Sequence, residues 1–196
     1  DLLRLAGAKG ALRVAGLASA EMPAALHLGF FAEVDLLALN QDEASALAQM
    51  PFDLGAPDPF LAACSDRLRA LQPGIRVVVT AGRNGAFGFE RERWTHVPAL
   101  AVPVASTAGA GDALLGGVLA ALAVGFPFAT PGTVGALPGR QVASALELGV
   151  LLSALKVTSP HTIHPAADLN GLLAFARQYG VTLADGFFET APSLLS

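Results

Sequence analysis

Two runs of mostly apolar residues, with a helical pattern between them, constrain the fold of this chain more than any other feature. Residues 34–39 (Val-Asp-Leu-Leu-Ala-Leu) and 76–80 (Arg-Val-Val-Val-Thr) each have the length and composition of a buried strand. Between them, Phe60, Cys64 and Leu68 recur at the spacing of an amphipathic helix. Strands that alternate with helices pair in parallel, so we predict an α/β fold. A mostly parallel sheet would be layered between helices as α/β/α.

The rest of the pattern adds elements to this α/β chain. Residues 87–89 and 94–100 predict a hairpin. Two stretches of small and apolar residues, 113–122 and 141–156, predict two helices that pack side by side. The length favours a single α/β domain over residues 1–196.

Hydrophobic residues make up 53% of the chain and charged residues 14%, so a membrane span has to be considered. Residues 113–139 carry no charge at all. Prolines interrupt this stretch at positions 127, 131 and 138, and its uninterrupted part, residues 113–126, is shorter than the roughly 20 residues of a spanning helix. We therefore predict a buried helix and no membrane partner.

Charge and cysteine content limit the possible partners and the cellular compartment. The net charge of −4, without a basic run, argues against nucleic acid as a partner. The single cysteine, Cys64, excludes an internal disulfide and suits a reducing compartment, so we expect a cytoplasmic protein. Because the sequence begins with Asp1 instead of methionine, we also expect it to be a piece of a longer protein.

Residues 106–112 (Ser-Thr-Ala-Gly-Ala-Gly-Asp) run directly into the first small-residue helix and indicate a phosphate site. Small residues let the backbone approach a ligand closely, and the first amides of the helix lie at the positive end of its dipole. Asp112, beside a transferring phosphoryl group, would be placed to take the proton of a hydroxyl. A plain glycine-rich turn with Asp112 as the helix N-cap is the alternative that this stretch leaves open.

Two more polar clusters follow the two predicted strands: Asn40 with Glu43, and Thr80 with Gly82 and Gly85. The carboxyl ends of parallel strands share one edge, where open sheets bind ligands, so we expect both clusters and the glycine stretch at that edge. An amide and a carboxylate three residues apart can hold a hydrated magnesium ion. A capping box at the first cluster and a simple turn at the second remain alternatives.

Other chemical motifs fail on spacing. A dinucleotide fingerprint needs Gly or Ala where Leu114 stands, which speaks against an α/β oxidoreductase, and a P-loop needs a lysine that the glycine stretch lacks. His161 and His164 form a His-x-x-His pair in a proline-containing loop, without a nearby cysteine or clear carboxylate partner. A metal site there is the less favoured interpretation.

Three motifs in order now carry a family resemblance. Residues 40–43 (Asn-Gln-Asp-Glu), 80–85 (Thr-Ala-Gly-Arg-Asn-Gly) and 108–117 (Ala-Gly-Ala-Gly-Asp-Ala-Leu-Leu-Gly-Gly), followed by a helix that ends at Lys156-Val-Thr, resemble the carboxy-terminal part of the ribokinase-like, or PfkB, carbohydrate kinases. The resemblance implies a ribokinase-like fold whose amino-terminal part and lid have no counterpart here. It implies ATP-dependent transfer of the γ-phosphate to a hydroxymethyl group of a sugar or nucleoside, with Mg²⁺, and it is compatible with a homodimer.

The resemblance also implies roles for individual residues. Asp112 would be the catalytic base, and the amides of Gly109, Ala110 and Gly111 would form the anion hole. Asn40 and Glu43 would hold magnesium through water. Thr80, Gly82 and Gly85 would border the nucleotide.

The chain departs from the family pattern in several places. Residues 106–108 are Ser-Thr-Ala where the family commonly has Asp-Thr-Thr, and Ser-Pro at 159–160 replaces Gly-Ala, so monovalent-cation activation does not carry over. Val150 stands where an asparagine is common, so adenine contacts would differ. Residues 145–165 resemble pseudouridine kinases more faintly. The rival to a kinase is a non-catalytic nucleotide- or sugar-binding module descended from one, which the retained Asp112 speaks against.

Overall fold

The computed structural model describes residues 2–53, 55–130 and 135–187. In chain order these form α1 (Leu2–Ala8), β1 (Val14–Gly16), α2 (Met22–His27), β2 (Leu36–Asn40), α3 (Gln41–Ala48), α4 (Pro57–Leu71), β3 (Arg76–Thr80), β4 (Ala86–Glu90), β5 (Arg93–Val97), α5 (Ala110–Ala123), β6 (Gln141–Val142), α6 (Ala145–Val157), α7 (Leu169–Gln178) and β7 (Thr182–Leu183). The five-stranded sheet has the order β1-β2-β3-β4-β5, and β6 pairs with β7. The pairs β1–β2, β2–β3 and β6–β7 are parallel, which confirms the predicted α/β class.

The chain divides into two compact units. The first comprises Asp1–Ala81 and Phe87–Trp94, and the second comprises Gly82–Ala86 and Thr95–Ser196. The expectation of a single domain over residues 1–196 stays a prediction.

Strands β2 and β3 form the centre of the first unit. Leu37 pairs with Val77 in the parallel register, and both belong to a core cluster of fully buried side chains. Leu36 and Val78 alternate with them onto the opposite face and are also fully buried. Strands buried on both faces need the nearly continuous run of apolar, often branched, residues that indicated them in the sequence.

Helix α4 confirms the predicted amphipathic pattern. Phe60, Cys64 and Leu68 are all buried in the core of the first unit. Burial raises the pKa of the Cys64 thiol to about 12, because the thiolate would lose its hydration there. Cys64 is therefore a protonated core residue, as expected, and is not a nucleophile.

An ion pair joins the start of β1 to the start of β2. The Arg13 guanidinium donates two parallel hydrogen bonds to the Asp35 carboxylate, from Nη2 to Oδ1 at 2.8 Å and from Nε to Oδ2 at 2.9 Å. These charge-assisted bonds lower the pKa of Asp35, so the carboxylate is ionised at neutral pH.

The predicted hairpin is confirmed by strands β4 and β5. They are neighbours in the sheet order and are joined by only two residues, Arg91 and Glu92. Both residues have left-handed backbones, with φ of 50° and 64°. Two consecutive positive φ angles are the geometry of a tight hairpin turn.

Helices α5 and α6 pack against each other in the second unit, as predicted, and glycine at two facing positions permits the close approach. A Cβ added to Gly117 would lie 2.9 Å from the Cα of Gly149. A Cβ added to Gly149 would lie 2.7 Å from the Leu114 carbonyl oxygen and 2.7 Å from Val118 Cγ2. None of the helices in the described parts of the chain combines the length and hydrophobicity that a transmembrane span requires.

Replacing Gly149 by alanine should force these helices apart. We expect Gly149→Ala to lower the free energy of unfolding by about 1–3 kcal/mol, because the overlap exceeds the gain in helix propensity. Gly116→Ala is the matched control in α5, since an added Cβ there meets no atom within 4 Å, and it should stabilise by up to about 1 kcal/mol. Urea unfolding of both variants measures the difference, and a stabilising Gly149→Ala would contradict this packing.

The second predicted helix, residues 141–156, begins later than its pattern suggested. Its first two residues form β6, and α6 starts after Ser144, whose side chain accepts a hydrogen bond from the backbone N–H of Glu147. Glu147 is 1% exposed and also pairs with Arg140 at 3.0 Å. This cap and buried ion pair set the start of α6, and apolar periodicity does not show such polar contacts.

Candidate active site

The glycine stretch forms a loop that turns sharply into α5. Gly109 is the N-cap and has a left-handed backbone with φ of 78°. Asp112 is the third residue of α5 and its side chain is exposed. The alternative in which Asp112 is the N-cap is therefore wrong, because the glycine that can adopt this φ takes that position. The carboxylate lies in the first helical turn, where the helix dipole favours negative charge.

The backbone amides at this helix start differ in how they are used. Ala110 N–H donates to the Thr107 carbonyl at 3.1 Å and so closes the turn. Within the described residues, the amides of Gly109 and Gly111 donate to no protein acceptor. Open N–H groups at the amino end of a helix are suited to an anion. The anion hole over Gly109, Ala110 and Gly111 stays a prediction, with the Ala110 amide already engaged in the loop.

A second loop lies directly against Gly109. A Cβ added to Gly109 would lie 2.8 Å from the Thr162 carbonyl oxygen and 3.2 Å from its Cγ2 atom. Glycine is thus required here for both backbone angle and space. Beside this contact is a cavity of about 420 Å³, a size typical of small-molecule sites. It is lined by Gly109, Asp112, Ala113, Leu152, Leu155, Lys156, Thr162, Ile163, His164 and Ala167.

The cavity wall combines apolar surface with a buried positive charge. The Ile163 side chain is 80% exposed, which leaves apolar area for a ligand to cover. Lys156 is 3% exposed, and its Nζ donates to the Ser106 carbonyl at 3.0 Å. The sequence-based predictions missed Lys156 as a site residue. The one sequence feature that could have indicated it is its isolation, since it is the only Asp, Glu, Lys or Arg between Glu147 and Asp168.

Both ring nitrogens of His164 have hydrogen-bonding partners. Its Nδ1 accepts from Ala166 N–H at 3.0 Å, and its Nε2 lies 3.4 Å from Thr158 Oγ1. Thr158 Oγ1 also donates to the Leu155 carbonyl at 2.7 Å. These contacts give His164 a structural role between the end of α6 and the loop that follows it. The described residues contain no group of three or more His, Cys, Asp or Glu side chains that could hold an ion.

Asn40 and Glu43 form a reciprocal capping box at the start of α3. Asn40 Oδ1 accepts from Glu43 N–H at 2.9 Å, and Glu43 Oε2 accepts from Asn40 N–H at 2.8 Å. The capping alternative is confirmed. It does not exclude a metal role, because the box uses one carboxylate oxygen and leaves Oε1, which is a suitable acceptor for a water of hydrated Mg²⁺. The donor set fits magnesium held through water, and that role stays a prediction.

The predicted nucleotide-bordering residues have different surroundings. Thr80 ends β3 and pairs in register with Asn40, so these two lie at the same sheet edge in the first unit. Gly85 is buried with φ of 90°, and its Cα packs against the Val97 carbonyl, which makes a structural role sufficient there. Gly82, with φ of 54°, is exposed beside open space.

The predicted site residues thus fall into two groups. The first unit brings together Asn40, Glu43 and Thr80. The second unit brings the start of α5, including Asp112, together with Lys156 and the loop that contains Thr162. The prediction that all of them share one sheet edge relates the two units and stays a prediction.

Comparison with known proteins identifies a family for this chain. Residues 4–169 match the family described as pfkB family carbohydrate kinase. A deoxyribokinase from Salmonella typhi is 33% identical over 97 residues, which are 46% of this chain and 28% of that protein.

Two solved structures have a similar fold. A fructokinase double mutant from Vibrio cholerae O395, in its fructose, ADP and potassium ion bound form, matches with a TM-score of 0.65 and 22% identity over 88% of this chain and 53% of its own. An E. coli protein assigned as ribokinase II, in complex with ATP and Mg²⁺, matches with a TM-score of 0.64 and 20% identity over 90% of this chain and 52% of its own. The chain spans about half the length of these structures.

Proposed function

Because this chain belongs to the pfkB family of carbohydrate kinases, we propose that it is the nucleotide-binding and catalytic portion of a kinase that transfers the ATP γ-phosphate to a hydroxymethyl group. One observation carries the proposal: the amino end of α5 presents open amides and an exposed carboxylate next to a cavity with a buried ammonium group. Open amides and a cation bind phosphates, and the carboxylate binds a proton.

Asp112 would act as the general base. Its exposed carboxylate can meet a hydroxyl of the acceptor and take the proton as the new P–O bond forms. The amides of Gly109 and Gly111 would donate to the phosphoryl oxygens, with the α5 dipole behind them. A hydrated Mg²⁺ would supply further positive charge to the phosphates. Asn40 and Glu43 would hold its waters, and the Glu43 oxygen outside the capping box is the natural acceptor.

The nucleotide would extend from the amides into the cavity. Its apolar lining, above all the exposed Ile163, suits the flat face of a base, and Lys156 adds positive charge near the helix start. Thr80, Gly82 and Gly85 would border the nucleotide, with Gly82 the one whose surroundings are open.

The acceptor would be a sugar or a nucleoside. The similarity to a deoxyribokinase and a fructokinase supports a sugar in the first place. None of the motifs described above is placed to orient that acceptor, so we expect its identity to depend on other groups. A cytoplasmic location, a homodimer and the narrower likeness to pseudouridine kinases remain predictions.

A binding experiment tests the nucleotide site. We expect Gly109→Ala to weaken binding of the ATP analogue Mg·AMP-PNP by about 10-fold or more, since a side chain at φ of 78° strains the loop and displaces Thr162. Gly116→Ala, on the exposed side of the same helix, should bind like the wild type. Isothermal titration calorimetry measures both affinities, and thermal melting verifies that each variant is folded. Undiminished affinity in a folded Gly109→Ala variant would refute the site.

A further inference from the structure

Lys156 is a buried ammonium group that no acidic side chain neutralises. It is 3% exposed near the end of α6, and in the described ranges no carboxylate lies within ion-pair distance of it. Removing an ammonium group from water is costly unless other groups replace its hydration. Its one hydrogen bond in those ranges runs to the Ser106 carbonyl. Packing alone does not explain why a buried side chain at this position carries a charge and binds a carbonyl oxygen.

The contacts of Lys156 connect the loop before α5 to the end of α6. Ala105 N–H and Ser106 N–H both donate to the Val157 carbonyl, at 2.8 and 3.3 Å, and Lys156 Nζ donates to the Ser106 carbonyl at 3.0 Å. Lys156 Cε would lie 3.7 Å from a Cβ on Gly109. The ammonium group therefore contacts the loop three residues before Gly109, the N-cap of the helix whose open amides form the candidate phosphate site.

An alkali metal ion bound in a loop also places a positive charge against backbone carbonyl oxygens, as the Lys156 ammonium does at Ser106. Two segments in which this chain departs from the family pattern, residues 106–108 and 159–160, are the reason why monovalent-cation activation is not expected here. Both lie next to Lys156: Ser106 accepts its hydrogen bond, and Ser159 N–H donates to its carbonyl at 3.1 Å. The side chain of Lys156 thus brings a positive charge to the first of these segments, and its backbone bonds the second.

We propose that the Lys156 ammonium is a built-in monovalent cation, which orders the loop of residues 106–109 for phosphate binding without any alkali metal ion. Lys156 is on this view a positioning residue, since it acts through the Ser106 carbonyl on the amides of α5. The role of this loop in phosphate binding rests on the proposed kinase function. The ordering of the loop by a fixed charge does not depend on it.

The first measurement uses the wild-type chain alone. Its melting temperature, recorded in KCl, NaCl and choline chloride at equal ionic strength, should be the same in all three salts. Its affinity for Mg·AMP-PNP should likewise be the same in KCl and in choline chloride. A higher melting temperature or a several-fold tighter affinity in KCl alone would overturn the proposal, because the loop would then need an added ion.

The second measurement creates a cation requirement. Lys156→Ala removes the ammonium group and leaves space, so its melting temperature in choline chloride should fall by about 4–10 °C and partly recover in KCl as K⁺ binds the freed carbonyl. Lys156→Met fills the same space without charge and should melt low in every salt. An alanine variant that does not respond to K⁺ would overturn the proposal. Melting requires no nucleotide, so this result is independent of whether the chain binds ATP.

Discussion

Asp112→Asn is expected to lower the turnover number about 10²- to 10⁴-fold in a form of the protein extended at its amino end to the length of its relatives. The carboxylate is exposed in the first turn of α5, where it can accept the proton of an acceptor hydroxyl. Asparagine has nearly the same size and keeps polar contacts, but its amide is not a base at neutral pH. The expected loss is that of a general base.

Affinity for ATP should be unchanged or slightly improved in the same variant, because one negative charge beside the phosphates is removed. A coupled assay gives the turnover number, and titration with ATP gives the affinity. Asp58→Asn is the matched control, since Asp58 is also an exposed carboxylate in the first turn of a helix, α4, and has no predicted role. Full turnover by the Asp112 variant would remove the assignment of the base and favour the non-catalytic binding module.

The second large effect concerns the 196-residue chain by itself, which we expect to show no detectable phosphorylation of any sugar or nucleoside. Its motifs are predicted to bind phosphate, metal and a proton, and it spans about half the length of the kinases it resembles in fold. Positioning of the acceptor accounts for a large part of phosphoryl-transfer catalysis, so a kinase deprived of its acceptor contacts should be slower by about 10⁴-fold or more.

A panel of sugars and nucleosides, assayed with both forms, measures this difference. The extended form should phosphorylate at least one of them, while the 196-residue chain should still bind Mg·AMP-PNP. Retained binding distinguishes a folded nucleotide site that lacks its acceptor from a chain that is simply unfolded. Robust turnover by the 196-residue chain would show that the acceptor site lies within it and would contradict this prediction.

The local parts of this molecule could be predicted from the sequence. Strand β3 lies at residues 76–80 as predicted, because a run of branched residues buried on both faces has few other solutions. The start of α5 was indicated by its glycines, although the N-cap is Gly109 and Asp112 lies in the first turn. The capping box of Asn40 and Glu43 followed from their spacing alone.

Contacts between distant segments could not be predicted in this way. Lys156 meets Ser106 across 50 positions of the chain, and no periodicity or motif encodes that pairing. Thr162 fills the space that Gly109 leaves open, so the loop of residues 159–164 became part of the candidate site only in three dimensions. The pair His161 and His164 in this loop left a metal site as the less favoured interpretation, and His164 forms hydrogen bonds with Ala166 and Thr158 instead.

The most direct test of the account is a crystal structure of this chain with Mg·AMP-PNP. We predict that a phosphate oxygen accepts a hydrogen bond from the amide of Gly109 or Gly111, and that the nucleotide occupies the cavity beside Ile163 and Lys156. Electron density for the nucleotide at another surface, or no density within hydrogen-bonding distance of these amides at saturating analogue, would contradict the central claim that α5 begins at the phosphate site.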